Sequence, residues 1–268
     1  MRNTVAREMF RDTADHNYVA ARWCFLNGLN TDFYWLSLHA LEKYLKTVLL
    51  LNGRPVRKYG HDIVALYRDI GPIAASLMPQ CFRRPLELDV HWWHEDLPDT
   101  FIDRLSYEGC PDNRYQVYGY RRWSDDLIKV DQITFAMRRL CWPLDTYVID
   151  PDGKPDAPTF RDILNTDPNF WSFKAGDTSP LYKIFDGKLG SEIRATLLDN
   201  NFSFAPDDYQ HPDFQEQQAF STTALLRYVY DPLKGSHENA RTEAKALREW
   251  VKGNIQLPSE FKAELDSW

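Results

Sequence analysis

Lys46, Arg54, Arg57, Lys58 and His61 place four cationic side chains and an imidazole within sixteen positions of a chain whose formal charge is -7. Ammonium and guanidinium groups clamp phosphate oxygens through charge-assisted hydrogen bonds, and an imidazole moves a proton near neutral pH. Together they form a candidate phosphate-binding patch, with His61 the candidate for proton transfer. Each residue also has an ordinary structural use. Glu42 and Lys46 are four positions apart, the spacing of an ion pair that supports a helix surface. His61 follows Gly60 at a helix start, where a polar side chain bonds nearby backbone groups. Arg114 and Tyr115 follow the turn former Asp112-Asn113, and they either meet a ligand or tie a loop to the core by an ion pair and a buried ring.

A second cluster is Asp89-Val-His-Trp-Trp-His-Glu-Asp96, whose His91 and His94 would face one metal ion if the segment were helical. Two ligands do not make a site, and neither HExxH nor its inverse is present, so the expectation is an aromatic contact loop and no metal. The chain contains no G-x-S-x-G, G-x-x-x-x-G-K or G-x-G-x-x-G, which sets aside serine hydrolase, phosphate-loop and dinucleotide-binding chemistry. No motif implies a cofactor. Cys24, Cys81, Cys110 and Cys141 are far apart and match no zinc or disulfide spacing. With thirty-nine acidic against thirty-two basic residues, any contact with a polyanion must be local. The N-terminal segment is charged from its second residue, and no stretch of about 18 apolar residues occurs. A cytoplasmic location without a membrane partner is expected.

The elements that must position these groups read as mainly α-helical. Residues 4 to 27 predict a first helix with apolar spacing at Val5, Met9, Ala20, Trp23 and Leu26, stopped by Asn27-Gly28. Asn30, Thr31 and Asp32 are N-cap candidates for a second, whose face is Tyr34, Leu38, Leu41, Leu45 and Val48 and whose end is Asn52-Gly53. The basic connector RPVRKYG leads to a third helix that ends before Pro79. From Gln80 to Gly119, prolines interrupt short helical pieces such as FIDRLSYE. Periodicity returns in WSDDLIKVDQITFAMRRLCW, with Ser124 as cap and Leu127, Val130, Phe135, Met137 and Leu140 on a buried side. Pro, Gly and Asp mark a linker near 150 to 158, dividing the chain into 1–149 and 150–268. Beyond it LYKIFDGKLGSEIRATLLDN, DFQEQQAFSTTALLRYVYDPL and SHENARTEAKALREWVKGN read as helices.

Within this frame, His39-Ala40-Leu41-Glu42-Lys43-Tyr44-Leu45-Lys46, then Asn52-Gly53, then Lys58-Tyr59-Gly60-His61-Asp62-Ile63, and later Asn113-Arg114-Tyr115, resemble the HEPN family. The likeness covers residues ~5 to 145, with a longer insertion before Arg114 than compact members have. It implies an up-and-down helical bundle and frequent homodimerisation. It also implies either metal-independent RNA cleavage or a binding role beside a nucleotidyltransferase partner. Cleaving members use an Arg, a polar residue and a His at short spacing, late in the bundle. Here Arg-to-His spacings of that kind occur at Arg11 to His16, Arg54 to His61 and Arg84 to His91, but no His lies between Arg114 and Met137. The familiar RNase motif is therefore expected to be absent.

The expectation that follows is a HEPN-like, dimer-forming protein of nucleotide or RNA biology, in a defence or toxin-antitoxin type of system. Phosphate would meet Lys46, Arg54, Arg57, Lys58, His61 and Arg114. Two alternatives stay open: a metal-independent ribonuclease using His61 or His16, and a non-catalytic module that holds a protein partner through aromatic surfaces.

Overall fold

The computed structural model describes residues 1–86, 93–148, 158–167, 169–170, 178–212, 220–222 and 224–268. The chain is mainly helical, as its periodicity predicts. The first rod comprises α1 (Arg2–Ala6), a π turn (Arg7–Arg11) and α2 (Asp12–Leu26), with right-handed backbone maintained at both junctions. It buries a different face from the one expected. Val5, Met9 and Trp23 are 52%, 59% and 50% exposed, whereas Ala14, Tyr18, Ala21 and Phe25 are buried. Asp15 and Arg22 lie on the buried side as well. An apolar count cannot find such a face, because its charges are neutralised by partners distant in sequence.

Gly28, at φ +75°, turns the chain into α3 (Asn30–Leu51). The N-cap candidates do not cap it by side chain; Asn30 instead bonds Gly28 O and accepts from Arg122 Nη1 at 2.8 Å. Its predicted face of Tyr34, Leu38, Leu41, Leu45 and Val48 is buried throughout. That burial contributes roughly 1.5–3 kcal/mol per large aliphatic side chain. α4 (Ile63–Ala74) and a 3-10 turn (Ala75–Leu77) complete the third helix before Pro79. α5 (Pro98–Glu108) packs on both α3 and α4. Gly109 at its end sits directly on α3, where an added Cβ would lie 2.5 Å from Tyr34 O and 2.8 Å from Leu38 Cβ.

α6 (Asp126–Arg139) follows a short strand, β1 (Tyr120–Arg122). Ser124 is buried rather than the N-cap residue, which is Asp125, and Phe135 is only partly buried. The expected single apolar side is also too narrow, since Asp126, Lys129, Asp131, Arg138 and Arg139 are buried too. Each charge at these inner positions meets a partner from another element. Asp125 and Asp96 hold Lys129 Nζ at 3.0 and 2.7 Å. Asp131 pairs with Arg22 and accepts from Tyr18 OH at 2.6 Å. Arg138 bonds Asp15 at 3.0 Å and Ser179 Oγ at 2.7 Å. Asp126 accepts from Arg104 Nη2 at 2.5 Å and Tyr34 OH at 2.6 Å. Such pairs contribute little net stability over apolar replacements, yet losing one partner costs about 3–5 kcal/mol.

Glu108 is the strained member of this network. Burial raises its pKa to about 7 despite the Arg104 guanidinium, and Asp126 adds to the rise. A carboxyl raised in the folded state opposes folding as pH climbs from its ordinary range towards 7, because the folded chain holds the proton more tightly. Glu108→Gln is therefore expected to gain on the wild type between pH ~5 and ~8, by up to about 3 kcal/mol. Urea unfolding at the two pH values measures this, and an unchanged difference would remove the assignment.

α7 (Phe160–Thr166), α8 (Pro180–Phe185) and α9 (Ser191–Leu198) add Leu164, Leu181, Ile184, Leu197 and Leu198 to the core of the first half. The expected helix over 181–200 is thus two helices, separated by a turn in which Gly187 adopts φ +73°. The expected linker boundary at 150 falls outside the described residues. In the next predicted helix, Phe220–Thr222 is instead a strand, β2, paired antiparallel with β1, and residues 213–219 and 223 lie outside the described residues. A π turn (Leu226–Tyr230), α10 (Asp231–Lys234), α11 (Glu238–Asn254) and α12 (Ser259–Ser267) surround a second apolar cluster. That cluster includes Val229, Val251, Phe261 and Leu265, and Val117 joins it from the β1 approach.

Candidate functional site

The side of α3 away from the core carries Trp35, His39, Glu42 and Lys46, at spacings of four, three and four residues. These spacings align side chains along one helix face. The connector after α3 crosses back over this face. Gly60 makes the necessary turn at φ +54°, and its carbonyl accepts from Lys46 Nζ at 2.6 Å. His61 then reaches α3 with Nδ1 3.1 Å from both carboxylate oxygens of Glu42. The α4 N-cap is the next residue, Asp62, which accepts from Ala65 N at 2.9 Å. His61 is thereby free of the capping use its position suggested, and its side chain remains 73% exposed.

Glu42 is the hub. Lys46 Nζ lies 2.5 Å from its Oε1 and His39 Nδ1 lies 3.4 Å from its Oε2. Against the desolvation that would raise it, hydrogen bonds from His39, Lys46 and His61 draw the Glu42 carboxyl down to about 2. It therefore stays ionised throughout the range in which imidazoles titrate. Only 4% exposed, it anchors the three nitrogen-bearing side chains from beneath. Farther along, the His39 ring meets Trp35 edge-on at 4.0 Å, and the Arg114 guanidinium lies 4.4 Å over Trp35. Arg114 is fixed there by its Nε bond to Pro111 O at 3.1 Å.

The predicted site residues thus divide. Lys46 and His61 share one carboxylate, and Arg114 reaches the same face through Trp35 and His39. Lys58 is turned to Asp69 at 3.3 Å and covers the Tyr59 ring, so its charge is locally balanced. Arg54 and Arg57 are exposed on the connector, and neither has an ion pair among the described residues. Trp35 and His39 are the residues that sequence reasoning missed. Their signal was present in the three- and four-residue spacings that continue the Glu42–Lys46 row towards the N-terminus.

The chain matches no family model, no curated protein and no solved structure.

Elsewhere, Arg11 is buried and bonded to Asp12 at 2.8 Å, while His16 is exposed, so the spacing in sequence does not give them a shared environment. His91 lies outside the described residues. His94 packs against Trp123 with ring centroids 3.8 Å apart and the planes tilted by 44°, and its Nδ1 is 3.4 Å from the buried Asp125. Among the described residues, no group of three or more His, Cys, Asp or Glu is placed to hold a metal ion, and no helix is long and apolar enough to cross a membrane.

Proposed function

We propose that this chain is a HEPN-like, dimer-forming binding protein of nucleotide or RNA biology, in a defence or toxin-antitoxin type of system. Its ligand's phosphate meets the α3 face. The observation that carries this reading is the gathering of Lys46, His39 and His61 on the single carboxylate of Glu42. Glu42 and the Gly60 carbonyl take up two of the three donors of the Lys46 ammonium, which leaves one for an anion. Arg114 lies over the Trp35 ring, a guanidinium held on an aromatic face from which it can meet a phosphate.

A second reading, metal-independent RNA cleavage, draws on the His61–Glu42 contact. A carboxylate on Nδ1 orients an imidazole and leaves Nε2 to move a proton. One set of variants tests both. Binding of a labelled single-stranded RNA and of nucleotides is measured by fluorescence anisotropy across a salt series. Lys46→Ala and Arg114→Ala are each expected to weaken binding about tenfold, and to reduce the salt slope by about 1. The Arg54→Ala/Arg57→Ala/Lys58→Ala variant reports the connector's share. Cleavage in EDTA that disappears in His61→Ala would favour the enzyme. A wild type that binds neither RNA nor nucleotide at low salt would overturn the phosphate reading and leave the protein-interaction module.

A further inference from the structure

His39 and His61 approach Glu42 from two elements, each through Nδ1, with ring centroids 6.3 Å apart. The carboxylate selects the tautomer with a proton on Nδ1, because only then does each ring donate to it. In that neutral form Nε2, across the ring from Nδ1, carries a lone pair and repels the oxygen of an anion. Taking up a proton converts Nε2 from acceptor to donor while the Nδ1 contact persists. Two such conversions on one face turn a pair of acceptors into a pair of charged donors. The charge balance agrees: with both rings neutral, Lys46 and Glu42 cancel, and with both protonated the cluster carries two positive charges in excess.

We infer that anion binding at this face is coupled to the uptake of two protons, one on His39 and one on His61, so that the site opens to phosphate as pH falls. The inference rests on the phosphate-binding reading above. The charged and titratable groups around the pair are few. From α3 come Glu42, Lys46 and Lys43, the last directed to Asn17 at 2.6 Å. From the connector and α4 come the exposed Arg54 and Arg57, Lys58, held by Asp69, and Asp62, occupied as the N-cap. Arg114 lies over the Trp35 ring. Within this set, only the two imidazoles change charge in the physiological range. The bonds made are the two Nε2–H bonds, whose protons come from and return to solvent, and no electron transfer is involved.

The test is calorimetric titration of the full chain with sodium sulfate, a tetrahedral dianion whose own charge stays constant from pH ~5 to ~8. Two buffers of different ionisation enthalpy at each pH give the number of protons taken up. The expected result is affinity about 100-fold weaker at pH ~7.5 than at ~5.5, about tenfold for each of the two linked protons. Uptake should approach two protons per sulfate at the higher pH. It should fall to one in His39→Gln and in His61→Gln, with the pH dependence of each reduced to about tenfold. His61 is mostly exposed, so His61→Gln decides the matter even if His39→Gln fails to fold. Sulfate affinity that is constant with pH would overturn the proton coupling and leave a phosphate site standing. So would binding of RNA or nucleotide with no sulfate binding at any pH. Failure to bind sulfate, RNA and nucleotide alike would remove both.

Discussion

Arg22→Met is expected to lower the stability of the chain by about 3–5 kcal/mol, seen as a fall in Tm of roughly 10 °C. Arg22 is fully buried in the first rod, pairs with Asp131 of α6, and donates to the carbonyls of Thr196, at 2.9 Å, and Asp199. Those carbonyls belong to the last turn of α9 and the residue that follows it, where backbone acceptors lack intrahelical donors. One guanidinium therefore joins the first rod, the central helix and the end of α9. Removing it strands a buried carboxylate and two part-buried carbonyls together, and Met fills the volume without answering either. The double variant Arg22→Met/Asp131→Leu should recover part of the loss, because the uncompensated charge is gone while the carbonyls remain unanswered. Thermal and urea unfolding of the three chains checks this. A single variant that loses less than about 1 kcal/mol would show that the ion pair does not fasten these elements.

The second large effect is expected at Gly109, for a steric reason. Its φ of -92° suits any residue, so backbone strain is not the cause. The obstacle is backbone and Cβ atoms of α3, with Tyr34 O 2.5 Å and Leu38 Cβ 2.8 Å from where a methyl group would sit. Neither is the end of a flexible side chain. Gly109→Ala must therefore push α5 off α3, at an expected loss of about 3 kcal/mol, the upper part of the range for overpacked sites. Gly71→Ala is the matched control, because its added methyl group meets nothing within 4 Å and the position lies inside α4. There the better helix propensity of Ala should leave stability equal or raise it by about 0.5–1 kcal/mol. Equal unfolding midpoints for the two variants would show that α5 can yield without loss.

The parts of this fold that follow a simple period were legible in the sequence, and those held by paired charges were not. α3 reads correctly because its buried row is entirely apolar, from Tyr34 to Val48. α2 misleads because its inward face carries Asp15 and Arg22, while Val5, Met9 and Trp23 keep a helical spacing on the outside. α6 misleads for the same reason, since Lys129 and Asp131 look like solvent-facing residues until Asp96, Asp125 and Arg22 are brought to them. The β1–β2 pair has three-residue strands about 100 positions apart, and no local pattern announces so distant a register. At the site, Lys46, His61 and Arg114 were recognisable by residue type. Glu42 was read as surface support for Lys46 alone, because its second and third partners come from the row above it and from beyond a connector. Arg54, Arg57 and Lys58 look equivalent along the chain, yet among the described residues Lys58 has its own carboxylate and the two arginines do not.

The way β1 is covered bears on where this chain can be shortened. Its pairing along Tyr120–Arg122 comes from β2, and the neighbouring Val117 is buried only within the distal apolar cluster. A fragment ending before residue 213 would lose the partner strand of Tyr120 and Arg122 next to an apolar patch, a short edge onto which another molecule's strand can add. The C-terminal region thus covers an edge and an apolar side chain that a shorter chain would leave open to its neighbours.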